Sequence, residues 1–181
     1  RSAVPIGDVR SGEPGRIEGV TAGPCVAGDE WAWDGVRFRF LHPDGARWED
    51  DDRSCEIQVA AGEASQLLTR SIGSAVERLL VGRHGAGLQS LIVQVPHHGS
   101  RTSSSSALVT QARPAYAVLS TGFRNRFGFP KPDVVDRWRS VGATVLDTQE
   151  TGAISFVVGP RGIESGPELW RHLTRRYWRR R

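Results

Sequence analysis

The sequence has no methionine, one lysine (Lys131), two cysteines, and no apolar run approaching about 18 residues. The last absence excludes a membrane span formed by these residues. No charged-then-apolar leader precedes the first structured segment. Cys25 and Cys55 are too few and too far apart for a zinc knuckle. They either pair in an oxidising compartment or remain buried thiols. A core of this size needs no covalent staple, so thiols are the expectation. The missing methionine, at position 1 as elsewhere, predicts a fragment with a cut N-terminus. No Gly-x-Ser-x-Gly elbow is present, and a nucleophilic serine would need a histidine and an acid in reach.

What is present is an ordinary balance: 181 residues, 38% hydrophobic and 24% charged. That suits one domain, or most of one, with enough apolar material for a core. Collagen-like, coiled-coil and disordered classes do not fit such a composition. The net charge of +4 is unevenly placed, since six arginines lie in 171–181 with no acid among them. Residues 1–170 then carry 18 bases against 20 acids, so the body is not basic by composition. The tail either touches phosphate or an anionic surface, or is a solubilising terminal helix.

Residues 1–24 lack periodicity and read as loop. From Trp31 to Leu41, aromatic and polar residues alternate on both sides of Asp34-Gly35, which predicts a hairpin. An acidic loop, 44–53, follows and reads as solvated, with cation binding as the alternative. Strands are predicted over 55–60, 64–69, 91–95, 115–119, 144–146 and 153–158. Helices are predicted over 73–82, 102–112 and 132–141, the last opened by Pro132. A final helix is expected from Pro167, carrying Leu169, Trp170, Leu173, Tyr177 and Trp178. There are no internal repeats, and a layered sheet with helices outside suits this order.

Two strand-end loops carry the chemistry. The first is Val95-Pro96-His97-His98-Gly99-Ser100-Arg101-Thr102-Ser103. Neutral imidazole is a common zinc ligand, although a catalytic zinc needs about three protein ligands. The alternative is a pair of surface histidines. Ser100, Thr102 and the amides that follow can bind an anion, and Arg101 adds a fork for phosphate. Of the remaining histidines, His42 lies near a strand end, while His84 and His172 read as solvated. The second loop is Thr121-Gly122-Phe123-Arg124-Asn125-Arg126-Phe127-Gly128-Phe129-Pro130. If its strand neighbours the one ending at Val95, both loops rim one edge. Asn125 and Arg126 can then contact phosphate, and Phe127 or Phe129 can stack on a base. A packed turn with buried phenylalanines is the alternative.

Four segments together resemble the C-terminal part of the metallo-β-lactamase-like domain of ComEC-type competence proteins, inner-membrane channels for DNA uptake. They are Trp31 to Val36 with Leu41-His42-Pro43, Asp52-Arg53-Ser54-Cys55, Val95 to Ser105, and Asn125-Arg126-Phe127-Gly128. The resemblance implies an α/β, four-layer αββα sandwich whose N-terminal part is missing. Its segments would be a remnant at 1–24, the domain at 25–160 and an Arg-rich helix at 161–181. It implies a phosphodiester-cleaving domain in a bacterial inner-membrane protein. The partners would be DNA and the channel region of the same parent chain, with no small-molecule cofactor.

His97 and His98 match the family's histidine pair, expected as catalytic residues and metal ligands. The expected metal is a divalent ion, Zn or Mn, in the intact parent. The pattern departs in three places. The His-x-His-x-Asp-His cluster is absent from this sequence. Arg70-Ser71 stands where the family reads Gly-Asp, with Asp as ligand. Phe129 stands where the family often has His. The chain alone is therefore expected to be inactive. A non-catalytic module of the same fold, binding DNA or a partner or supporting the channel, is the alternative.

Overall fold

The computed structural model describes residues 7–45 and 48–174. A small parallel pair, β1 (Arg10–Ser11) and β2 (Gly23–Pro24), precedes the main sheet. The sheet starts with β3 (Glu30–Trp33) and β4 (Val36–His42), joined at Asp34-Gly35, both with positive φ. β5 (Glu56–Ala61) and β6 (Ala64–Leu68) complete an antiparallel meander. Then strands alternate with helices: α1 (Ser74–His84), β7 (Ile92–Gln94), α2 (Ser106–Ala112), β8 (Tyr116–Leu119), α3 (Pro132–Ser140) and β9 (Thr144–Asp147). β6 to β9 are parallel, and all seven strands lie side by side in chain order. The chain closes with α4 (Thr148–Thr151), the hairpin β10 (Ile154–Gly159) and β11 (Gly162–Leu169), and α5 (Trp170–Leu173). This is a mixed α/β architecture.

The strand order explains where the helices go. Successive crossovers between parallel neighbours share one hand, so a sheet wound in a single direction places every helix on the same face. That face holds the core. Leu67, Val93, Ala117 and Leu119 from the strands meet Val76, Leu80, Leu108, Val109, Val134 and Trp138 from the helices, all fully buried. Truncating one such leucine to alanine costs about 2–5 kcal/mol. The opposite face is apolar too, as the period-2 pattern dictates. Phe38, Ile57, Val59, Leu68, Tyr116 and Val118 lie on it and are only half-buried. The β10–β11 hairpin covers part of this face: Phe156 packs on Tyr116 (centroids 5.1 Å) and the Glu63 amide donates to Pro160 O (2.8 Å). Trp33, 70% exposed, projects from the β3 edge.

Three expectations need correction. Cys25 and Cys55 form a disulfide, with Cα atoms 5.9 Å apart. The Cys25 amide donates to Ser11 O just past β2, and Cys55 enters β5, a closeness that a chain separation of 30 residues does not encode. The helix expected from residue 102 starts at Ser106, because Ser103 and Ser104 are held by side-chain and backbone bonds and Ser104 has φ +59°. The segment around Pro167 is strand β11, not helix. Pro167 sits in the outer strand of a two-stranded sheet, where its missing donor is tolerated. Helix begins only at Trp170. Tyr177, Trp178 and the last five arginines lie outside the described residues. No helix among those described is long and apolar enough to cross a membrane.

Candidate functional site

Because β6 to β9 are parallel, their C-terminal ends share one edge, the usual place for ligands in such sheets. The loops after β7 and β8 rim the same edge, since those strands are neighbours. After β7 the backbone makes a left-handed turn: φ is 49° at His97, 55° at His98 and 80° at Gly99. Left-handed conformation at two successive non-glycine residues costs about 1–3 kcal/mol each and persists only where the surroundings over-determine it. Here they do. The His97 amide donates to Arg70 O (2.7 Å), Lys131 N donates to Gly99 O (3.0 Å) and Ser103 Oγ donates to Pro96 O (3.0 Å). Gly99 is required for space as well, since a Cβ there would lie 2.8 Å from both Leu119 and Pro130.

Beneath this turn lies a set of buried acids. The fully buried Glu77 carboxylate, on α1, accepts from the amides of Ser104 and Ser105. Trp138 Nε1 donates to Ser104 Oγ (3.1 Å), and Arg137 donates to Ser104 O. Glu56, also fully buried, accepts from the Arg70 amide through both oxygens (3.2 Å each). Burial pushes its carboxyl up to about 8, against which the Arg70 amide and guanidinium act. Asp52 accepts from the Gly73 amide (2.7 Å). Glu56 thus holds Arg70, and Arg70 holds His97.

The two imidazoles have different surroundings. His98 is exposed, and its Nδ1 bonds Ser120 O (2.7 Å). A carbonyl only accepts, so Nδ1 carries a proton, and Nε2 is the ring nitrogen left for a ligand. His97 is half-buried. Its Nδ1 is 3.4 Å from Thr102 Oγ1, and its Nε2 is 3.8 Å from Asp51 Oδ2. Both histidines line a cleft of about 490 Å³ with Asp51, Ser71, Asn125 and Phe129. The rings of Phe129 and His97 meet at 64°, with centroids 6.4 Å apart.

The structure sorts the remaining candidates. Ser100 Oγ bonds Thr102 Oγ1 (3.0 Å), so these hydroxyls back His97. Arg101 points away to Asp133 (3.0 Å) and does not line the cleft. Asn125 braces its own loop: Nδ2 donates to Phe129 O (2.7 Å), and Oδ1 accepts from the Phe129 amide (2.9 Å). Arg126 lies over the ring of Phe127 (4.9 Å). Of the other histidines, His172 is exposed as expected, while His84 is half-buried and shifted down by that burial. His42 is fully buried, its Nε2 donates to Asp52 O (2.6 Å), and burial pushes its pKa down. Sequence reasoning missed Asp51, taken with its neighbours as solvated loop, and missed Glu56 and Glu77 as anchors. A run of four acids does not reveal which one faces a histidine. A lone glutamate at the start of an apolar strand is, by contrast, a visible anomaly.

The donor set does not complete a metal centre. Among the described residues, no three of His, Cys, Asp and Glu converge as ligands. Ser71 brings only a hydroxyl to the cleft, beside the exposed Arg70.

Comparison with known proteins places this geometry in context. No protein-family model matches the chain. The competence protein ComA of Neisseria gonorrhoeae is 38% identical over 163 residues, which is 90% of this chain and 23% of that protein. The Escherichia coli protein YcaI, itself uncharacterized, is 35% identical over 140 residues, 77% of this chain and 19% of YcaI. Recombination protein 2 of Haemophilus influenzae is 34% identical over 131 residues, 72% of this chain and 16% of that protein. The chain is therefore homologous over most of its length to competence proteins, and it spans about a fifth of the length of the curated relatives it matches.

Proposed function

We propose that this chain is the C-terminal part of a metallo-β-lactamase-like domain in a ComEC-type DNA-uptake protein, and that the completed domain hydrolyses DNA phosphodiesters. The observation that carries the reading is the strained His97-His98 turn at the C-terminal edge of a parallel sheet, in a chain homologous to competence proteins. The Nδ1 of His98 is taken by Ser120 O, leaving Nε2 for a ligand, and His97 lies 3.8 Å from Asp51. The half-covered apolar face supports the fold. A second sheet packed there, of which β10–β11 would be one part, turns three layers into four. A Zn²⁺ or Mn²⁺ ion belongs to that completed assembly, since the described residues bring together no three ligands of their own. The location proposed is the bacterial inner membrane, with the channel region of the same parent as partner. The Cys25–Cys55 bond favours the oxidising side of that membrane.

The non-catalytic reading has its own support. Ser71 stands in the cleft where a carboxylate is expected, and Phe129 occupies the space against His97. Cleavage separates the two. The purified parent protein is incubated with DNA and Mn²⁺, alongside its His97→Ala and His98→Ala variants and the 181-residue chain. The expected result is cleavage by the parent, a loss of about 100-fold or more in each variant, and none by the chain. A parent that never cleaves favours the binding module. Cleavage by the chain alone contradicts the placement of the site.

A further inference from the structure

The loop after β8 displays aromatic rings to solvent. Phe123 is 64% exposed and Phe127 57% exposed. Each is overlaid by cations: Arg124 (5.2 Å) and Arg171 (5.3 Å) over Phe123, and Arg126 (4.9 Å) over Phe127. Arg171 comes from α5, far along the chain, and its other bond, to Gln149 O (2.6 Å), fixes it there. Among the described residues, Arg124 and Arg126 make no ion pair. The loop is braced by the Asn125 amide, by Lys131 Nζ donating to Phe127 O (2.9 Å), and by Thr148 Oγ1 donating to Thr121 O (2.9 Å). An exposed ring held this firmly does not serve the core.

The rings also lead somewhere. Phe127 stacks on Phe129 (centroids 5.8 Å, 19° between planes), Phe129 meets His97 at an angle (6.4 Å), and His97 meets His98 (6.5 Å). This is an unbroken aromatic row from solvent into the histidine cleft. Faces flanked by unpaired guanidinium groups suit unpaired bases joined by phosphates. A base stacks on a phenyl ring or on the outer face of its guanidinium, and a displaced guanidinium finds phosphate within reach. Base pairs already stacked in a duplex do not offer those faces. An acidic peptide would use the arginines but leave the rings without partners.

We propose that Phe123, Phe127 and the arginines over them form a platform for unpaired bases, which feeds single-stranded nucleic acid along Phe129 to the His97–His98 cleft. The inference rests on the reading of the completed domain as acting on DNA, and it adds the state of the strand.

The test is binding, measured by fluorescence anisotropy on the 181-residue chain in EDTA, so that cleavage plays no part. The probes are a labelled single-stranded oligothymidine, an abasic oligonucleotide of equal length and charge, and a duplex of equal length. The expected result is binding to oligothymidine about tenfold or more tighter than to either control. Phe127→Ala and Phe123→Ala should each reduce that preference. Phe127→Leu, which keeps bulk without a π-face, should reduce it as Phe127→Ala does, and Phe127→Tyr should keep it. Equal affinity for all three probes, absence of binding, or a preference that Phe127→Leu leaves undiminished would overturn the platform. The cleavage assay on the parent is independent. A cleaving parent without base preference removes the platform alone, and a base-preferring chain in a parent that never cleaves removes the hydrolytic reading alone.

Discussion

Glu56 lies on the helix-covered side of the sheet with its carboxyl out of water, and it accepts from one amide, that of Arg70. Its pKa of about 8 stands above the ordinary 4.5 because burial penalises the charge. Between those two pH values the unfolded chain has released a proton that the folded chain still holds. Stability therefore falls as pH rises through that window and levels off above about pH 8. Glu56→Gln keeps an acceptor for the Arg70 amide and removes the ionisation. The variant should match the parent chain near pH 4 and become more stable than it by up to a few kcal/mol by pH 8, on the order expected for such a shift. Urea denaturation at several pH values checks this. A gap that stays constant across the window would show that Glu56 does not titrate as described. Beside it, Ser71 and Asp51 show how the cleft differs from a carboxylate-rich one: a hydroxyl lies where an acid is expected, and the acid that does face a histidine comes from another loop.

At the scale of elements, the turn after β7 holds two successive non-glycine residues with positive φ. His98 has φ +55°, where any residue with a Cβ pays and glycine does not. Both His98→Gly and His98→Ala remove the imidazole, yet the glycine variant should be about 1 kcal/mol the more stable. Equal thermal stabilities would mean that the turn relaxes when the side chain is lost. This turn was legible only as chemistry: two histidines after an apolar strand marked the place, but nothing in the residue pattern announced left-handed backbone at His97 and His98. Regular elements read better. The Asp34-Gly35 hairpin, the strand through Val93 and the helix opened by Pro132 all formed where period and punctuation put them. Errors arose where tertiary bonds outweighed local preference. Ser103 and Ser104 look like a helix start but are claimed by Glu77, Pro96 and Trp138, so Ser105 is the serine that caps the helix and Ser106 its first residue. Pro167 looks like a first-turn proline but sits in a strand, because the Gly159-Pro160-Arg161-Gly162 turn sends the chain back along β10. The sequence pattern at Asn125 predicts a phosphate contact. Only the folded loop shows both ends of its amide already occupied.

At the scale of the molecule, single-direction winding fixes one covered face and one partly open face. Sequence alone suggested layers of this kind, while the shared edge of the two chemical loops depended on β7 and β8 being neighbours, which only pairing establishes. The same topology sets which side chains meet at this edge. The edge presents two histidines, a serine and one nearby aspartate, and no converging set of three metal ligands among the described residues. The central claim is that this edge is one side of a site finished by residues outside 1–181. Calorimetric titration with Zn²⁺ or Mn²⁺ tests it most directly, comparing the 181-residue chain with the parent protein and its His97→Ala and His98→Ala variants. The account predicts weak binding by the chain, tight binding by the parent, and a loss of about 10–100-fold or more when a liganding histidine is removed. Tight stoichiometric binding by the chain alone, or a parent whose affinity both alanine variants leave unchanged, would contradict it.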